Sequence, residues 1–140
     1  MLIKVAETKK EMDDAFSVRH RVFVQEQNVP EDLEIDQHED EATHLVAYDE
    51  DTPVAAGRYR MVGDFVKVER ICVLKEARGT GIGRLLMNEL ENQVRKIETA
   101  GLKLNSQVSA IEFYKSLGYE VTSDEFMDAG IPHVTMIKAL

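Results

Sequence analysis

Cysteine is nearly absent from this sequence, in which Cys72 is the single cysteine among 140 residues. A lone cysteine cannot form a disulfide within the chain, and such usage is typical of the reducing cytoplasm. No apolar run approaches the roughly 18 residues that a membrane-spanning helix needs, and no signal-peptide pattern opens the chain. We therefore expect a cytoplasmic protein without a membrane partner.

Positive charge is also scarce. The chain has 17 lysines and arginines against 26 aspartates and glutamates, which gives a net charge of −9. A general nucleic-acid-binding protein presents a basic face, so this balance argues against a nucleic-acid partner. A negative field raises the local concentration of cations, and the charge is therefore compatible with a small cationic substrate such as an amine.

Internal repeats and low-complexity runs are missing as well, and the length of 140 residues fits one domain, residues 1–140, with a core of its own. Apolar and β-branched runs predict strands at Leu2–Glu7, Thr43–Tyr48, Val54–Val62, Phe65–Leu74, Leu102–Gln107, Tyr119–Thr122 and His133–Lys138. Short turns join the second, third and fourth of these strands, which predicts an antiparallel meander. With the intervening helices the order is β-α-βββ-α-β-α-ββ, a mixed α/β sheet.

Helix boundaries are marked by capping residues and glycine. Residues 8–11 (TKKE) have the form of a capping box, and the helix behind them is predicted to run to about Val22. Residues 109–112 (SAIE) repeat the pattern before a shorter helix. The longest helix lies between these two, and Gly101 is predicted to stop it.

A glycine-rich loop lies between a buried strand and the longest helix. It reads Arg78-Gly79-Thr80-Gly81-Ile82-Gly83, with Arg84 directly behind it. Glycines at the start of a helix let backbone N–H groups approach an anion, so we expect a phosphate or pyrophosphate here. A P-loop is disfavoured because no Lys-Ser or Lys-Thr follows. A dinucleotide fold is disfavoured because the spacing is GxGxG, after an antiparallel run.

The segment Glu31–Glu41 is strongly acidic. Its carboxylates are Glu31, Asp32, Glu34, Asp36, Glu39, Asp40 and Glu41, with His38 among them. One interpretation is a solvated surface loop. Another is a mobile acidic lip that attracts and holds an amine, because loops of this length inside compact domains are often functional. A metal site is disfavoured, since neither EF-hand spacing nor a paired-histidine motif is present.

Two motifs carry a resemblance to a known family. The loop at Arg78–Gly83, preceded by Ile71–Val73, resembles the acyl-CoA pyrophosphate loop of the GNAT N-acetyltransferase superfamily. Residues 110–119 (AIEFYKSLGY) are similar to a second motif of that superfamily, and the predicted order of elements resembles the GNAT acyl-CoA N-acyltransferase fold along essentially the whole chain. Residues 19–36, 43–45 and 129–133 are similar to its YjcF/ElaA-like branch.

The resemblance implies an N-acetyltransferase that uses acetyl-CoA as acyl donor, needs no metal, and acts on the primary amine of a small cationic acceptor. The residues implied in acetyl-CoA binding are Ile71, Cys72, Val73, Arg78, Gly79, Thr80, Gly81, Ile82, Gly83, Arg84 and Gln107. The Val73 N–H would polarise the acetyl carbonyl. Gln107 stands where many family members carry asparagine. Polyamines, aminoglycosides, amino sugars, lysine side chains and protein N-termini all stay open as acceptors.

Acyl transfer needs a base for the amine and an acid for the departing thiolate. The resemblance implies Tyr114 as the acid, although its apolar helical face also fits core packing. Glu69 is a candidate base, directly or through water, with a salt-bridged strand carboxylate as the alternative. Glu26 is a candidate for binding the substrate ammonium group. His44 and His133 are further candidate bases, although a lone strand histidine is more often structural.

A covalent acetyl-enzyme on Cys72 is disfavoured. Free cysteine behaves mainly as a small hydrophobe, and strand alternation predicts that Cys72 faces away from both Glu69 and Ile71. We therefore expect direct attack of the amine on acetyl-CoA within a ternary complex.

Two other functions stay open. A noncatalytic acyl-CoA-binding or sensing module would keep the glycine loop and tolerate the loss of Tyr114. Acyl-homoserine-lactone synthesis is indicated by the similarity of Arg19–Phe23 to that related fold, but such synthases are longer. Homodimers are common in the superfamily, so the resemblance leaves a homodimer open.

Overall fold

One mixed sheet of eight strands organises the chain, and the computed structural model describes all 140 residues. The strands are β1 (Leu2–Val5), β2 (Thr43–Asp49), β3 (Thr52–Val62), β4 (Phe65–Val73), β5 (Gly101–Gln107), β6 (Glu120–Val121), β7 (Phe126–Asp128) and β8 (Ile131–Ala139). Their order is β1-β2-β3-β4-β5-β8-β6, with β7 also paired to β8. Only β4 and β5 run parallel. The predicted α/β class and the antiparallel meander are confirmed.

Four α-helices connect the strands. They are α1 (Lys9–Arg19), α2 (Glu31–Glu34), α3 (Ile82–Val94) and α4 (Ile111–Ser116), with a π-helical segment at His20–Glu26 and 3₁₀ turns at Lys75–Ala77 and Val108–Ala110. The short α2 and β7 are additions to the predicted order. None of the helices is both long enough and apolar enough to cross a membrane.

The capping box at the start of α1 is confirmed. The Thr8 hydroxyl accepts a hydrogen bond from the Glu11 N–H at 3.1 Å, and the Glu11 carboxylate accepts one from the Thr8 N–H at 3.1 Å. The predicted end near Val22 is wrong, because the chain stays helical to Glu26 by widening into π geometry. There the Gln27 N–H donates to the Val22 carbonyl at 3.1 Å, five residues back.

Two other boundary predictions are wrong. Ser109 lies in a 3₁₀ turn, and α4 begins after Ala110 with no side-chain cap. Gly101 does not stop the long helix, which ends at Val94, but opens β5. A Cβ atom at Gly101 would collide with the Lys138 carbonyl oxygen on the neighbouring strand. Glycine is thus needed here for close strand approach rather than for a helix end.

Helices cover both faces of the sheet. On one face α1 packs through Ala15 and Val18 onto a cluster that includes Ala56 and Cys72. On the other face α3 and α4 pack onto the larger cluster, whose fully buried members include Leu86 and Leu90. The two apolar layers hold β4 rigidly at the centre of the sheet.

The parallel strands β4 and β5 separate part-way along their length. They pair only from Phe65–Val68 on β4 to Gly101–Leu104 on β5, although both strands continue beyond these residues. A bulge lies just past this point. Between the pairs Ala56–Cys72 and Arg58–Glu69, the single residue Gly57 of β3 opposes Arg70 and Ile71 of β4, and Arg70 has a φ of 59°. Bulges bend a strand and interrupt its pairing. The free ends of β4 and β5 therefore border a gap inside the sheet.

The bulge also overturns the prediction that Cys72 faces away from Glu69, whereas the prediction that it faces away from Ile71 is confirmed. Glu69 pairs with Arg58, while Cys72 pairs with Ala56, two residues from Arg58 and on the same face of β3. The extra residue restores Cys72 to the face of Glu69, while Ile71 packs on the opposite face. Simple alternation fails here because it assumes one residue per pleat.

Candidate active site

A cleft of about 960 Å³ occupies the gap between β4 and β5. It brings together almost all of the predicted site residues: Glu26, Glu69, Ile71, Cys72, Val73, Arg78, Gly79, Gly81, Ile82, Gly83, Arg84, Gln107 and Tyr114. Thr80 is the exception, and its hydroxyl donates to the Ala77 carbonyl at 2.6 Å. The glycine loop, Phe23, Leu33 and residues of the β7–β8 hairpin also line the cleft.

The glycine loop has the backbone geometry of an anion site. Gly79 and Gly81 have φ values of 79° and 85°, in the left-handed region that favours glycine. Gly81 precedes the first residue of α3, whose N-terminus has no side-chain cap. The first intrahelical bond runs from the Leu85 N–H to the Gly81 carbonyl, which leaves the earlier N–H groups for a ligand.

The flanking arginines have partners within the protein. Arg78 donates to both carboxylate oxygens of Glu26, at 2.6 and 2.7 Å, and its Nε donates to the Val73 carbonyl at 3.0 Å. Arg84 donates to the Ser116 hydroxyl at 2.9 Å. The bond from Arg78 lowers the pKa of Glu26. Glu26, expected to bind a substrate ammonium, is therefore held beside the glycine loop, where an ammonium would compete with Arg78.

The free edge of β4 presents a backbone donor to the cleft. The Leu74 N–H donates to Val54 of β3 at 2.8 Å. Successive N–H groups of a strand point to opposite edges, so the Val73 N–H points away from β3. Beyond Val68 no residue of β5 pairs with that edge. The Val73 N–H is thus available to a group bound between the strands.

Gln107, one of the residues implied in acetyl-CoA binding, lines the cleft. It ends β5, and its amide Nε2 donates to Oε1 of Gln27 at 2.8 Å. This bond ties the end of β5 to the residue that follows the π-helical segment. A ligand contact at Gln107 would therefore use the amide oxygen or the second N–H of Nε2.

The position of Tyr114 fits both of its interpretations, core packing and a role as the acid. Its ring is buried with 8% exposure and packs edge-on against Phe113 and Tyr119, at centroid distances of 5.1 and 5.7 Å. Its hydroxyl lines the cleft and has no hydrogen bond within the protein. Burial raises the pKa of Tyr114. The hydroxyl therefore stays protonated at neutral pH and can act as a proton donor.

Glu69 is an ion-paired carboxylate in the cleft wall. Its Oε1 accepts hydrogen bonds from Arg60 at 2.8 Å and from Arg58 at 3.2 Å, and Lys67 lies 3.4 Å from Oε2. Burial opposes its ionisation, but the Arg60 hydrogen bond and the surrounding positive charges hold the pKa of Glu69 below its ordinary value. The geometry thus favours the salt-bridge interpretation, and Glu69 is a weak proton acceptor.

The two candidate histidines differ in their access to the cleft. His44 lies outside it; its Nε2–H donates to the Glu39 carbonyl at 2.9 Å, and burial lowers its pKa. His133 lines the cleft, and its Nδ1–H donates to the Ile131 carbonyl at 2.7 Å. Because a carbonyl can only accept, Nε2 of neutral His133 carries the lone pair. This nitrogen has no hydrogen bond within the protein.

The acidic segment is solvated at Glu31, Asp32, Asp40 and Glu41 and anchored through its other three carboxylates. Glu34 and Glu39 each accept two hydrogen bonds from Arg19, at 2.7 to 2.8 Å. Asp36 accepts two from Arg58, at 2.8 and 2.9 Å. Both arginines are essentially fully buried. Glu34, Asp36 and Glu39 are therefore engaged by buried guanidinium groups and are not free to hold an amine.

Sequence reasoning missed these arginines as site residues. Arg58 sits in a strand of otherwise buried small residues, and a buried arginine requires acidic partners. Arg70, on the bulge of β4, was missed too, although it lines the cleft. These arginines could have been found from the sequence, because several arginines occupy predicted core positions and the chain has one strongly acidic segment that could neutralise them.

Comparison with known proteins places this geometry in a family. Residues 6–140 match the model of the acetyltransferase (GNAT) domain. YjcF of Bacillus subtilis, an uncharacterized N-acetyltransferase, is 49% identical over 135 residues, which are 96% of each chain. ElaA of Escherichia coli is 29% identical over 126 residues, 86% of this chain and 82% of ElaA.

Solved structures agree with the sequence matches. The crystal structure of Escherichia coli ElaA superposes with a TM-score of 0.86, at 24% identity, and covers 98% of both chains. An aminoglycoside 6'-N-acetyltransferase crystallised with coenzyme A shares the fold, with a TM-score of 0.80 at 18% identity over 99% of this chain and 97% of that one. The resemblance to the YjcF/ElaA-like branch is confirmed, and the chain belongs to the GNAT acetyltransferase family.

Proposed function

We propose that this GNAT N-acetyltransferase moves the acetyl group of acetyl-CoA to the primary amine of a small molecule, by direct attack with both substrates bound in the cleft. The observation that supports the proposal is the continuity of that cleft. It joins the glycine loop, the free edge of β4 and the Tyr114 hydroxyl within one volume of about 960 Å³.

Donor binding would use the backbone at two places. The N–H groups between Gly79 and Gly83 would bind the pyrophosphate at the start of α3, helped by the helix dipole. The Val73 N–H would donate to the acetyl carbonyl oxygen and stabilise the negative charge that develops there. Arg78 would need to exchange part of its contact with Glu26 for a phosphate oxygen.

The transfer itself needs one bond to form and one to break. The amine nitrogen attacks the thioester carbon, the new C–N bond forms, the C–S bond breaks, and Tyr114 protonates the departing thiolate. Cys72 supports direct attack, because burial raises the pKa of its thiol to about 12 and its S–H donates to the Ala56 carbonyl at 3.7 Å. A thiol in that state is a poor nucleophile.

The amine must also lose a proton, and we assign that step to His133 rather than to Glu69. We expect His133→Gln to lower kcat/KM about 100-fold and to remove the limb of the pH profile that reports the base, because a general base contributes 10² or more. Glu69→Gln is the matched comparison and should keep that limb. The pH dependence of kcat/KM measures both. Loss of the limb in Glu69→Gln, with its retention in His133→Gln, would return the role to Glu69.

Thermal unfolding with acetyl-CoA, CoA, NADH and ATP in parallel tests the donor assignment. Acetyl-CoA and CoA at about 100 times their Kd should each add roughly 2.7 kcal/mol of stability. For a domain of this size that is a rise in Tm on the order of 5–10 °C. NADH and ATP should give no comparable rise, and a shift with either of them alone would contradict the proposal.

The cationic character first expected of the acceptor has lost part of its support. The net charge of −9 still attracts cations to the protein as a whole. Three of the seven carboxylates of the acidic segment, Glu34, Asp36 and Glu39, are however bound to buried arginines. The charge of the acceptor therefore depends on the groups that line the cleft where it binds.

A further inference from the structure

Arg70 lines the cleft and has an unusual backbone conformation. Its φ of 59° lies in the left-handed region, which is costly for a residue with a long side chain. Such strain persists where the surrounding structure enforces it, and it is concentrated at functional sites. Here the bulge of β4 enforces it and directs the side chain into the cleft wall beside Leu33 and Glu34.

The guanidinium group of Arg70 is oriented mainly by backbone carbonyls. Its Nε donates to the Glu34 carbonyl at 3.2 Å, and its Nη2 donates to the Leu33 carbonyl at 3.1 Å and to the Asp36 carboxylate at 3.2 Å. Nη1 has no hydrogen bond within the protein. The Arg70 side chain is 24% exposed, so Nη1 is accessible to a ligand.

The charge of Arg70 is only partly neutralised. Asp36, its one acidic partner, already accepts two shorter hydrogen bonds from Arg58. Glu34 and Glu39 direct their carboxylates to Arg19. Burial, together with the nearby charges of Arg58 and Arg19, lowers the pKa of Arg70. An anion at Nη1 would give this guanidinium group a second charged partner.

Apolar side chains line the same cleft as Arg70. They are Phe23 of the π-helical segment, Val29 just after it, Leu33 of α2 and Ile131 of β8. A guanidinium group beside an apolar wall fits a carboxylate next to an apolar side chain, since arginine binds carboxylates through paired N–H groups.

We propose that Arg70 forms an anion subsite for the acceptor, and that the acceptor is consequently an amine that also carries a carboxylate, as in an amino acid with an apolar side chain. This inference rests on the proposed function and specifies its substrate class. It replaces the cationic acceptor expected from net charge with a zwitterionic one.

Matched pairs of amines test the subsite. Leucine and 3-methylbutylamine differ only by the carboxylate, and so do phenylalanine and phenethylamine. We expect kcat/KM for acetylation to be about 10- to 100-fold higher for the amino acid, the size of a charge-assisted hydrogen bond. Arg70→Gln should abolish this preference, and Arg70→Lys should keep part of it. Arg95→Gln, an equal charge change on the exposed side of α3, should leave the preference intact.

The ratio within a pair separates recognition from a structural role. If Arg70 only supports the acidic segment, Arg70→Gln will lower kcat/KM equally for both amines of a pair. That result would overturn the subsite. Equal or faster acetylation of the decarboxylated amines by the unaltered protein would overturn it as well.

Calorimetric titration of leucine into CoA-saturated protein measures binding at the subsite without turnover. Binding that depends on Arg70, without acetylation of any amine, would contradict the proposed function alone. Acetylation of 3-methylbutylamine, without measurable leucine binding, would contradict the subsite alone.

Discussion

Tyr114→Phe is expected to lower kcat about 100-fold or more while leaving the Kd of acetyl-CoA within about twofold. A positioned general acid contributes 10² to 10⁴ in rate. The substitution removes the only polar atom of Tyr114 and keeps its ring against Phe113 and Tyr119. The hydroxyl has no hydrogen bond within the protein, so the fold should lose little stability. Steady-state CoA release, with acetyl-CoA binding measured separately, gives both quantities.

Tyr119→Phe is the matched control for this substitution. Tyr119 belongs to the same aromatic group, but its hydroxyl is buried without a partner and does not line the cleft. Its removal should leave kcat unchanged and should not destabilise the protein, because an unsatisfied buried hydroxyl is unfavourable. A fully active Tyr114→Phe would show that the thiolate leaves without this acid.

Arg58→Met is expected to destabilise the protein by about 3–5 kcal/mol, the largest stability effect that we anticipate from a single substitution. Arg58 has no exposed surface and contacts Asp36, Glu39 and Glu69. Removing one partner from a buried ionic group leaves uncompensated charges in a poorly solvated place. Urea unfolding should show a lower midpoint with an unchanged m-value.

Arg95→Met provides the exposed comparison. Arg95 pairs with Glu91 across one helical turn of α3, with about half of its side chain in solvent. Such surface pairs contribute at most about 1 kcal/mol. If both substitutions changed stability by this small amount, the buried network would be shown to contribute no more than a surface pair.

The same network predicts how stability depends on pH. Burial opposes ionisation of Glu39, but hydrogen bonds from Arg19 and Arg58 lower its pKa to about 2. The pKa of Asp36 is lowered as well, first by its hydrogen bonds from Arg58. A lowered carboxyl pKa contributes stability that is fully present above the unfolded value of roughly 4. We expect that contribution to be lost as the pH falls from about 4 towards 2, and Arg58→Met should reduce the loss.

Local patterns made much of this site predictable. The capping box at residues 8–11, the β-branched strand β4 and the glycines before α3 act through near neighbours in the chain, so their sequence signals are strong. Tyr114 could be placed in the cleft because it lies within a short motif. Each of these features required information from fewer than about ten consecutive residues.

Long-range pairing could not be predicted in the same way. Asp36 meets Arg58 and Arg70 across 22 and 34 residues of sequence, and no local pattern records such partners. The bulge at Arg70 was equally hidden, because a residue with positive φ in a strand departs from its usual preference. The prediction that Cys72 faces away from Glu69 was wrong for that reason. The acidic segment was interpreted from its composition alone, whereas its structural role depends on the buried arginines whose charge it neutralises.

Main-chain N–H and C=O groups are common to every residue except proline, which lacks the N–H. A donor molecule that lies along the free edge of β4 would therefore be recognised whatever side chains that edge carries. Mutations at Glu69, Arg70 or Ile71 can then alter the choice of acceptor while recognition of the donor is inherited unchanged. On this strand the backbone would preserve the chemistry of an enzyme lineage, and the side chains would allow its members to diverge in substrate.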